Sequence, residues 1–230
     1  MPSETQIRNL FASPLFQRDY ETCDDPESPA ALPEASLDFL SALAGELKAG
    51  VVFEFGSGQS TKMFLRQGCA VTSLEDSDHW MEQTQNQLSA EEKGRHTALV
   101  RPLQRRMHGF IPMMDWTVDS TIAEKLGGAD IILVDSPYFA PFRESTLWSA
   151  LVHGRNAVVI LDDTRIPTLS RFCDMIAVEN PGVLHRRVAV GHTFDFFARV
   201  TDEPLKARHP VFEIAKGWRR FFLSGKYAGG

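Results

Sequence analysis

The chain has 230 residues, 43% of them hydrophobic, and a formal net charge of −6. That length fits one domain with short extensions and enough apolar material for a sizeable core, while the acidic balance argues against general attraction to nucleic acid. No apolar run approaches the roughly 20 residues that a membrane-spanning helix needs, and the N-terminus lacks a basic stretch followed by an apolar core, so neither a membrane anchor nor a signal peptide is expected.

Residues 1 to 34 are polar and proline-bearing, with Asp24-Asp25-Pro26 and Ser28-Pro29 as breakers. They read as an N-terminal arm with an apolar anchor at Leu10-Phe11 and Leu15-Phe16. Leu37, Leu40, Leu43 and Leu47 recur at helical spacing, which predicts a helix over 35–48 ended by Lys48-Ala49-Gly50. A strand over 51–55 and a helix over 59–67 follow. A strand over 70–75 then leads to one helix over 77–90, with Ser77 or Asp78 as its cap. Beyond a strand at 97–100, residues 101–117 read as a long irregular segment. A helix at 118–126 ends at Gly127-Gly128, and Ala129 to Asp135 is a strand apolar enough to be covered on both faces. A helix over 142–153, a strand over 157–161 and a helix over 167–178 come next. Strands at 183–190 and 193–200 flank Gly191-His192 as a closing hairpin. Residues 201–230 form a tail whose amphipathic part includes Trp218-Arg219-Arg220-Phe221-Phe222. Two arginines are too few for stable membrane attachment, so this stretch is expected to cover the domain or pack a homodimer. Cys23, Cys69 and Cys173 are widely spaced and odd in number, which fits reduced thiols in a cytoplasmic protein better than a disulfide framework or a zinc site.

The alternation of strand and helix predicts an α/β domain over 35–200, a Rossmann-like doubly wound sheet of seven mostly parallel strands with helices on both faces. In such sheets ligands sit beyond the carboxyl ends of the strands. The first of those ends is the most informative stretch of the chain. Val51-Val52-Phe53-Glu54-Phe55 runs into Gly56-Ser57-Gly58 and then a helix opened by Ser60 and Thr61. The glycines permit backbone angles and close approach that a Cβ would block, and the free N–H groups of the helix can hold an anion. The second strand ends at Glu75, about 20 residues further on, where a carboxylate can accept hydrogen bonds from ribose hydroxyls. A dinucleotide fingerprint would need a third glycine where Thr61 stands, so an NAD-type oxidoreductase is the weaker reading.

The pattern Glu54-x-Gly56-x-Gly58 followed by Ser60-Thr61 resembles motif I of the class I S-adenosylmethionine (SAM) methyltransferases, and Glu75-Asp76 resembles that family's acidic motif II. The resemblance covers about residues 35–200. It implies that Glu54 faces the methionine end of SAM and that Gly56, Ser57 and Gly58 lie under the cofactor. Ser60 and Thr61 would be near the methionyl carboxylate, and Glu75 with Asp76 would serve the ribose. Pro102 and Leu103 would approach the adenine. It also implies that the closing strands form an antiparallel C-terminal hairpin.

Asp135 follows the fourth predicted strand, and Asp162-Asp163 follow the fifth. Three carboxylates on one edge are unfavourable unless protonated or neutralised by a cation, and magnesium would meet that need. The constellation resembles the catechol-type and macrolide-sugar-type O-methyltransferases, by which likeness Asp135, Asp162 and Asp163 are candidate metal ligands. The chain departs from those families in the Ser136-Pro137 that follows Asp135 and in the lack of a counterpart to the catechol-type lysine. Without a metal, Asp135 or Asp163 is the expected general base. His192 and His108 are further candidates, each more readily read as a surface histidine. Arg101, Arg105, Arg106, Arg143 and Arg165 either bind an acidic acceptor or merely offset an acidic surface. Tyr138, Phe139 and Phe142 wall an acceptor pocket or belong to the core, and Trp80 packs a helix face or stacks near adenine.

The expected function is therefore SAM-dependent O-methylation of a small-molecule or sugar hydroxyl. A non-catalytic nucleoside-binding module is the other alternative. A nucleic-acid methyltransferase is disfavoured by charge and by the loose match of Asp135-Ser136-Pro137-Tyr138 to an Asn-Pro-Pro-Tyr element.

Overall fold

The computed structural model describes residues 1–17, 32–108, 111–137 and 140–206, without the side chains of 105–108, 111–115, 140–142 and 168. Cys23, Tyr138, Phe139 and the tail at 218–222 lie outside the described residues, as do the side chains of Arg105, Arg106, His108 and Phe142.

Helix α1 (Glu4–Phe11) opens at a reciprocal cap in which the Ser3 hydroxyl accepts from Gln6 N–H and the Gln6 side chain accepts from Ser3 N–H. Ile7, Leu10, Phe11 and Leu15 are buried, so the expected apolar anchor is present, Leu10-Phe11 at the end of α1 and Leu15-Phe16 in a 3₁₀ turn over Pro14–Phe16. Helix α2 (Glu34–Leu47) buries Phe39, Leu40, Leu43 and Leu47 and stops at Lys48, whose φ of 52° turns the chain into the sheet.

The sheet strands are β1 (Val51–Phe55), β2 (Ala70–Glu75), β3 (His96–Val100), β6 (Ile131–Val134), β7 (Val158–Leu161), β8 (Val183–Val190) and β9 (His192–Arg199), in the order β3-β2-β1-β6-β7-β9-β8. The first five are parallel; β9 runs antiparallel to β7 and to β8. Helices α3 (Gln59–Arg66), α7 (Ala140–His153) and α8 (Pro167–Glu179) fill the connections together with α6 (Ser120–Gly127).

Strand residues alternate between two cores. Val52, Ile131, Leu133, Val158, Ile160, Phe194 and Phe196 join Phe39, Leu40 and Phe64 on the α1–α3 face. Phe53, Phe55, Ile132, Val134, Val159, Leu161 and Phe197 join Trp116, Leu147 and Phe172 on the other. The near-continuous apolar runs of β6 and β7 follow from burial on both faces.

Two expectations are corrected. The helix predicted over 77–90 is two helices, α4 (Asp78–Asn86) and α5 (Ala90–Arg95). Ser89 starts the second one, accepting from Glu92 N–H while the Glu92 carboxylate accepts from Ser89 N–H. The irregular 101–117 segment contains an antiparallel pair, β4 (Gln104–His108) with β5 (Ile111–Asp115), forming its own two-stranded sheet. Pro112 reads as a breaker in sequence, but a two-stranded ladder consists only of edges, where a missing N–H is tolerated. No helix of the described residues is long and apolar enough to cross a membrane.

Candidate functional site

The carboxyl ends of β1 and β2 form one half of the site. Gly56 has φ 109°, a conformation that favours glycine, and a Cβ there would lie 3.2 Å from Ser136 Cβ in the loop after β6. Its N–H donates to Leu74 O at 2.8 Å, which binds the turn to β2. Among the described residues, a Cβ at Gly58 would meet nothing within 4 Å. Glu54 is 1% exposed. Its Oε2 accepts from Thr61 Oγ1 at 2.7 Å and from Ser73 Oγ at 3.3 Å, and Thr61 Oγ1 accepts from Gly58 N–H at 2.9 Å. Among the described residues, the buried Glu54 Oε1 has no hydrogen-bond partner. Burial raises the Glu54 pKa to about 7, against the opposing hydrogen bonds of Thr61, Ser60 and Ser73.

Glu75, at the end of β2, lies beside the same turn. Its Oε1 accepts from the N–H groups of Asp76 (3.0 Å) and Ser77 (3.3 Å), and its Oε2 accepts from Ser57 Oγ at 3.3 Å. Ser57 thus ties the glycine turn to the end of β2. Burial, followed by the neighbouring Asp76, raises the Glu75 pKa to about 7. Of the other expected cofactor contacts, Ser60 is buried, Asp76 and Pro102 are exposed, and Leu103 is half-buried against the α6–α8 core. The loop after β3 is held to this edge because Arg101 N–H donates to Glu75 O at 2.9 Å and Trp116 Nε1 donates to Arg101 O at 2.9 Å. Trp80 is 51% exposed on α4.

The ends of β6 and β7 form the other half, and here the structure supplies a cation that the sequence did not assign to this place. Arg143 of α7 is buried. Its Nη2 lies 3.4 Å from Asp135 Oδ1 and its Nη1 lies 3.0 Å from Asp163 Oδ2. Its Nε donates to Pro137 O at 3.0 Å, and Nη1 reaches Asp162 O at 3.4 Å. Asp163 has φ 61°, an uncommon angle for a residue with a Cβ, and its side chain meets the guanidinium there. The three carboxylates are brought together as expected. The Asp135 pKa is pushed well above the usual range by burial and by Asp162 and Asp163, with Arg143 opposing. Burial pulls the Arg143 pKa down, but Asp135, Asp163 and Asp162 together leave it raised.

Asp162, 1% exposed, faces His192 instead, whose Nδ1 lies 3.1 Å from Oδ2 and 3.2 Å from Oδ1. That hydrogen bond raises the His192 pKa against the effect of burial. His192 is not in the hairpin turn itself but is the first residue of β9, paired with Val190. Ser36 of α2 holds it there: Ser36 Oγ donates to Val190 O at 2.6 Å and accepts from His192 N–H at 3.1 Å. Gly191 fits between them at φ 67°, since a Cβ would lie 2.6 Å from Ser36 Oγ. Among the described residues, the carboxylates and imidazoles whose ligand atoms gather within 4.8 Å are Asp162, Asp163 and His192, a set that differs from the expected Asp135, Asp162 and Asp163. Arg165 and Arg101 are exposed.

Sequence reading missed Arg143 as the neutralising group and Ser36 altogether. No local signal marks either one, because each meets the site only through helix packing.

No protein-family model matches the sequence, and no curated protein matches it. The structure is similar to a methyltransferase from Geobacter sulfurreducens, with 14% identity, 75% of this chain and 81% of that chain covered, and a TM-score of 0.51. It is also similar to a precorrin-6Y C5,15-methyltransferase from Geobacter metallireducens GS-15, with 10% identity, 79% and 93% covered, and a TM-score of 0.51. Likeness at such low identity speaks for architecture, and together with the strand order it establishes that this chain has the fold of the class I SAM-dependent methyltransferases.

Proposed function

We propose that the protein is a SAM-dependent methyltransferase that methylates a hydroxyl of a small molecule or sugar. The observation that carries this reading is the glycine turn between Glu54 and Glu75, where, among the described residues, the buried Glu54 Oε1 has no hydrogen-bond partner and a Cβ added at Gly58 would meet nothing within 4 Å.

These residues fit the cofactor's parts. Glu54 Oε1 would receive the methionyl ammonium, and the N-terminus of α3 with Ser60 and Thr61 would hold the methionyl carboxylate. Ser57 would lie beneath the cofactor. Glu75 would accept from the ribose hydroxyls, with Asp76 beside it, and Pro102 and Leu103 would flank the adenine. When bound, SAM supplies an electrophilic methyl group. The protein's task is then alignment: an acceptor oxygen must be held in line and close to contact, which lowers the barrier mainly through lost freedom already accounted for in binding.

On the acceptor side, Asp135 and Asp163 would orient the hydroxyl. With its raised pKa, Asp135 can carry a proton and donate a hydrogen bond to the acceptor. Arg143 already offsets the charge of the acidic edge at Asp135 and Asp163, so no magnesium ion is invoked there. The buried, unbridged Cys69 and Cys173 support a cytoplasmic setting.

The experiment is an equilibrium titration of the full chain with S-adenosylhomocysteine (SAH). Saturable binding that is lost in Glu75→Ala is the expected result. Absence of binding by the wild type overturns the reading, and NAD binding in its place would favour the oxidoreductase.

A further inference from the structure

We infer that His192 is the general base that takes the acceptor's hydroxyl proton, with Asp162 as its positioning residue. The inference rests on the methyltransferase reading and goes beyond it by separating the roles of the strand-end acids.

Asp163 Oδ2 is taken up by Arg143 Nη1 at 3.0 Å, and Asp135, which lies 3.4 Å from the same guanidinium, is the group that carries a proton and donates it in a hydrogen bond rather than accepting one. Asp162 is 1% exposed and faces the imidazole, so a substrate atom cannot reach it directly. His192 remains. Its Nδ1 is committed to Asp162, while among the described residues its Nε2 has no partner and its side chain keeps 14% exposure. This is the arrangement in which a buried carboxylate fixes the tautomer and leaves the second ring nitrogen bare.

The backbone around His192 is pinned from two directions. Ser36 bonds both residues that flank Gly191, and Thr164 of the loop after β7 donates its N–H and its hydroxyl to Thr193 O at 2.9 Å and 3.0 Å. The loop that carries Asp162 and the strand that carries His192 therefore move as one piece. The charged groups acting on the imidazole are Asp162 and Asp163 from the β7 end, which favour its protonated form, and Arg165 from the same loop, which opposes it.

The step balances. The acceptor oxygen forms a bond to the methyl carbon, and the sulfur–methyl bond breaks with its electron pair going to sulfur. The hydroxyl proton passes to His192 Nε2, the imidazolium is stabilised by Asp162, and the proton then leaves to solvent.

The test has two arms. In the SAH complex of histidine-15N-labelled protein at pH 8, with His192→Gln used to assign the resonance, NMR should find the neutral Nδ1–H tautomer of His192. The Nε2–H tautomer, or a resonance that shifts on adding magnesium, overturns the inference without need of an acceptor. In the second arm, methyl transfer to catechol and to methyl glucoside serves as the hydroxyl probe. His192→Gln should lower kcat by about 10²–10⁴-fold and abolish the acid limb of its pH profile, with SAH affinity unchanged. Asp162→Asn should also lower kcat while leaving SAH affinity alone. Unchanged kcat in His192→Gln, or wild-type turnover lost on chelation and restored by a divalent ion, overturns the proposal. Failure of the wild type to bind SAH overturns the methyltransferase reading itself, a result distinct from either.

Discussion

Arg143 and Asp163 form a 3.0 Å ion pair that joins α7 to the loop after β7, and the left-handed backbone of Asp163 takes part in that geometry. The same guanidinium reaches Asp135 after β6, so one buried side chain spans the two strand ends that carry the acidic edge.

Removal of that side chain should be costly. Arg143→Met leaves Asp135 and Asp163 without their cation beside Asp162, and because these two carboxylates keep partial exposure the loss should fall below the roughly 3–5 kcal/mol typical of breaking a fully buried ion pair. The loss should be largest at pH 8 and smaller at pH 5, where protonation relieves the repulsion around Asp135. Urea unfolding at the two pH values measures it.

The cofactor-free protein should lose stability as pH rises. Glu54 and Glu75 each have a folded pKa of about 7 against an ordinary value of 4.5, so the folded state binds protons more tightly than the unfolded one. Their contribution is full below the ordinary carboxylate range and disappears as pH climbs through 7, by up to about 3 kcal/mol for each group. Glu54→Gln should flatten this dependence and stabilise the cofactor-free protein at pH 8, while weakening SAH binding. Thermal unfolding from pH 5 to 8 distinguishes these outcomes.

The two glycines of the turn should behave differently. Gly56→Ala forces a Cβ against Ser136 at an unfavourable φ and should cost about 1–3 kcal/mol in stability. Gly58→Ala meets only open space and should leave stability unchanged, yet lower SAH affinity by at least about tenfold if a ligand occupies that space. Paired unfolding and titration experiments check both.

Ser36 is far from His192 in sequence and bonded to it in space. Ser36→Ala orphans Val190 O and His192 N–H and should cost about 1–3 kcal/mol. Because the imidazole loses its registration, kcat should fall while SAH affinity is retained. Equal losses in both would place the effect on global folding.

Much of this protein is legible from short stretches of its chain. The leucine spacing of α2, the double-sided apolar runs of β6 and β7, and the glycine turn between Glu54 and Thr61 are all local patterns of period or composition, and backbone geometry converts such patterns directly into elements. The splitting of α4 from α5 was also local in principle, since Ser89 and Glu92 form a capping box, but a continuous polar face concealed the break. The β4–β5 pairing falls in the 101–117 segment that reads as irregular.

The acidic edge shows the limit. Asp135, Asp162 and Asp163 could be assigned to one side of the sheet from strand order alone, because parallel strands all present their carboxyl ends to the same edge. Which cation balances them, and which histidine faces Asp162, depends on how α7 and β9 dock on that edge, and docking is decided by packing between residues remote in the chain. The sequence by itself determined the fold and the bed expected to receive the nucleoside. Only the tertiary structure decided that Arg143 neutralises the acids and that Ser36 holds His192 in place, because burial and charge compensation are properties of neighbours in space.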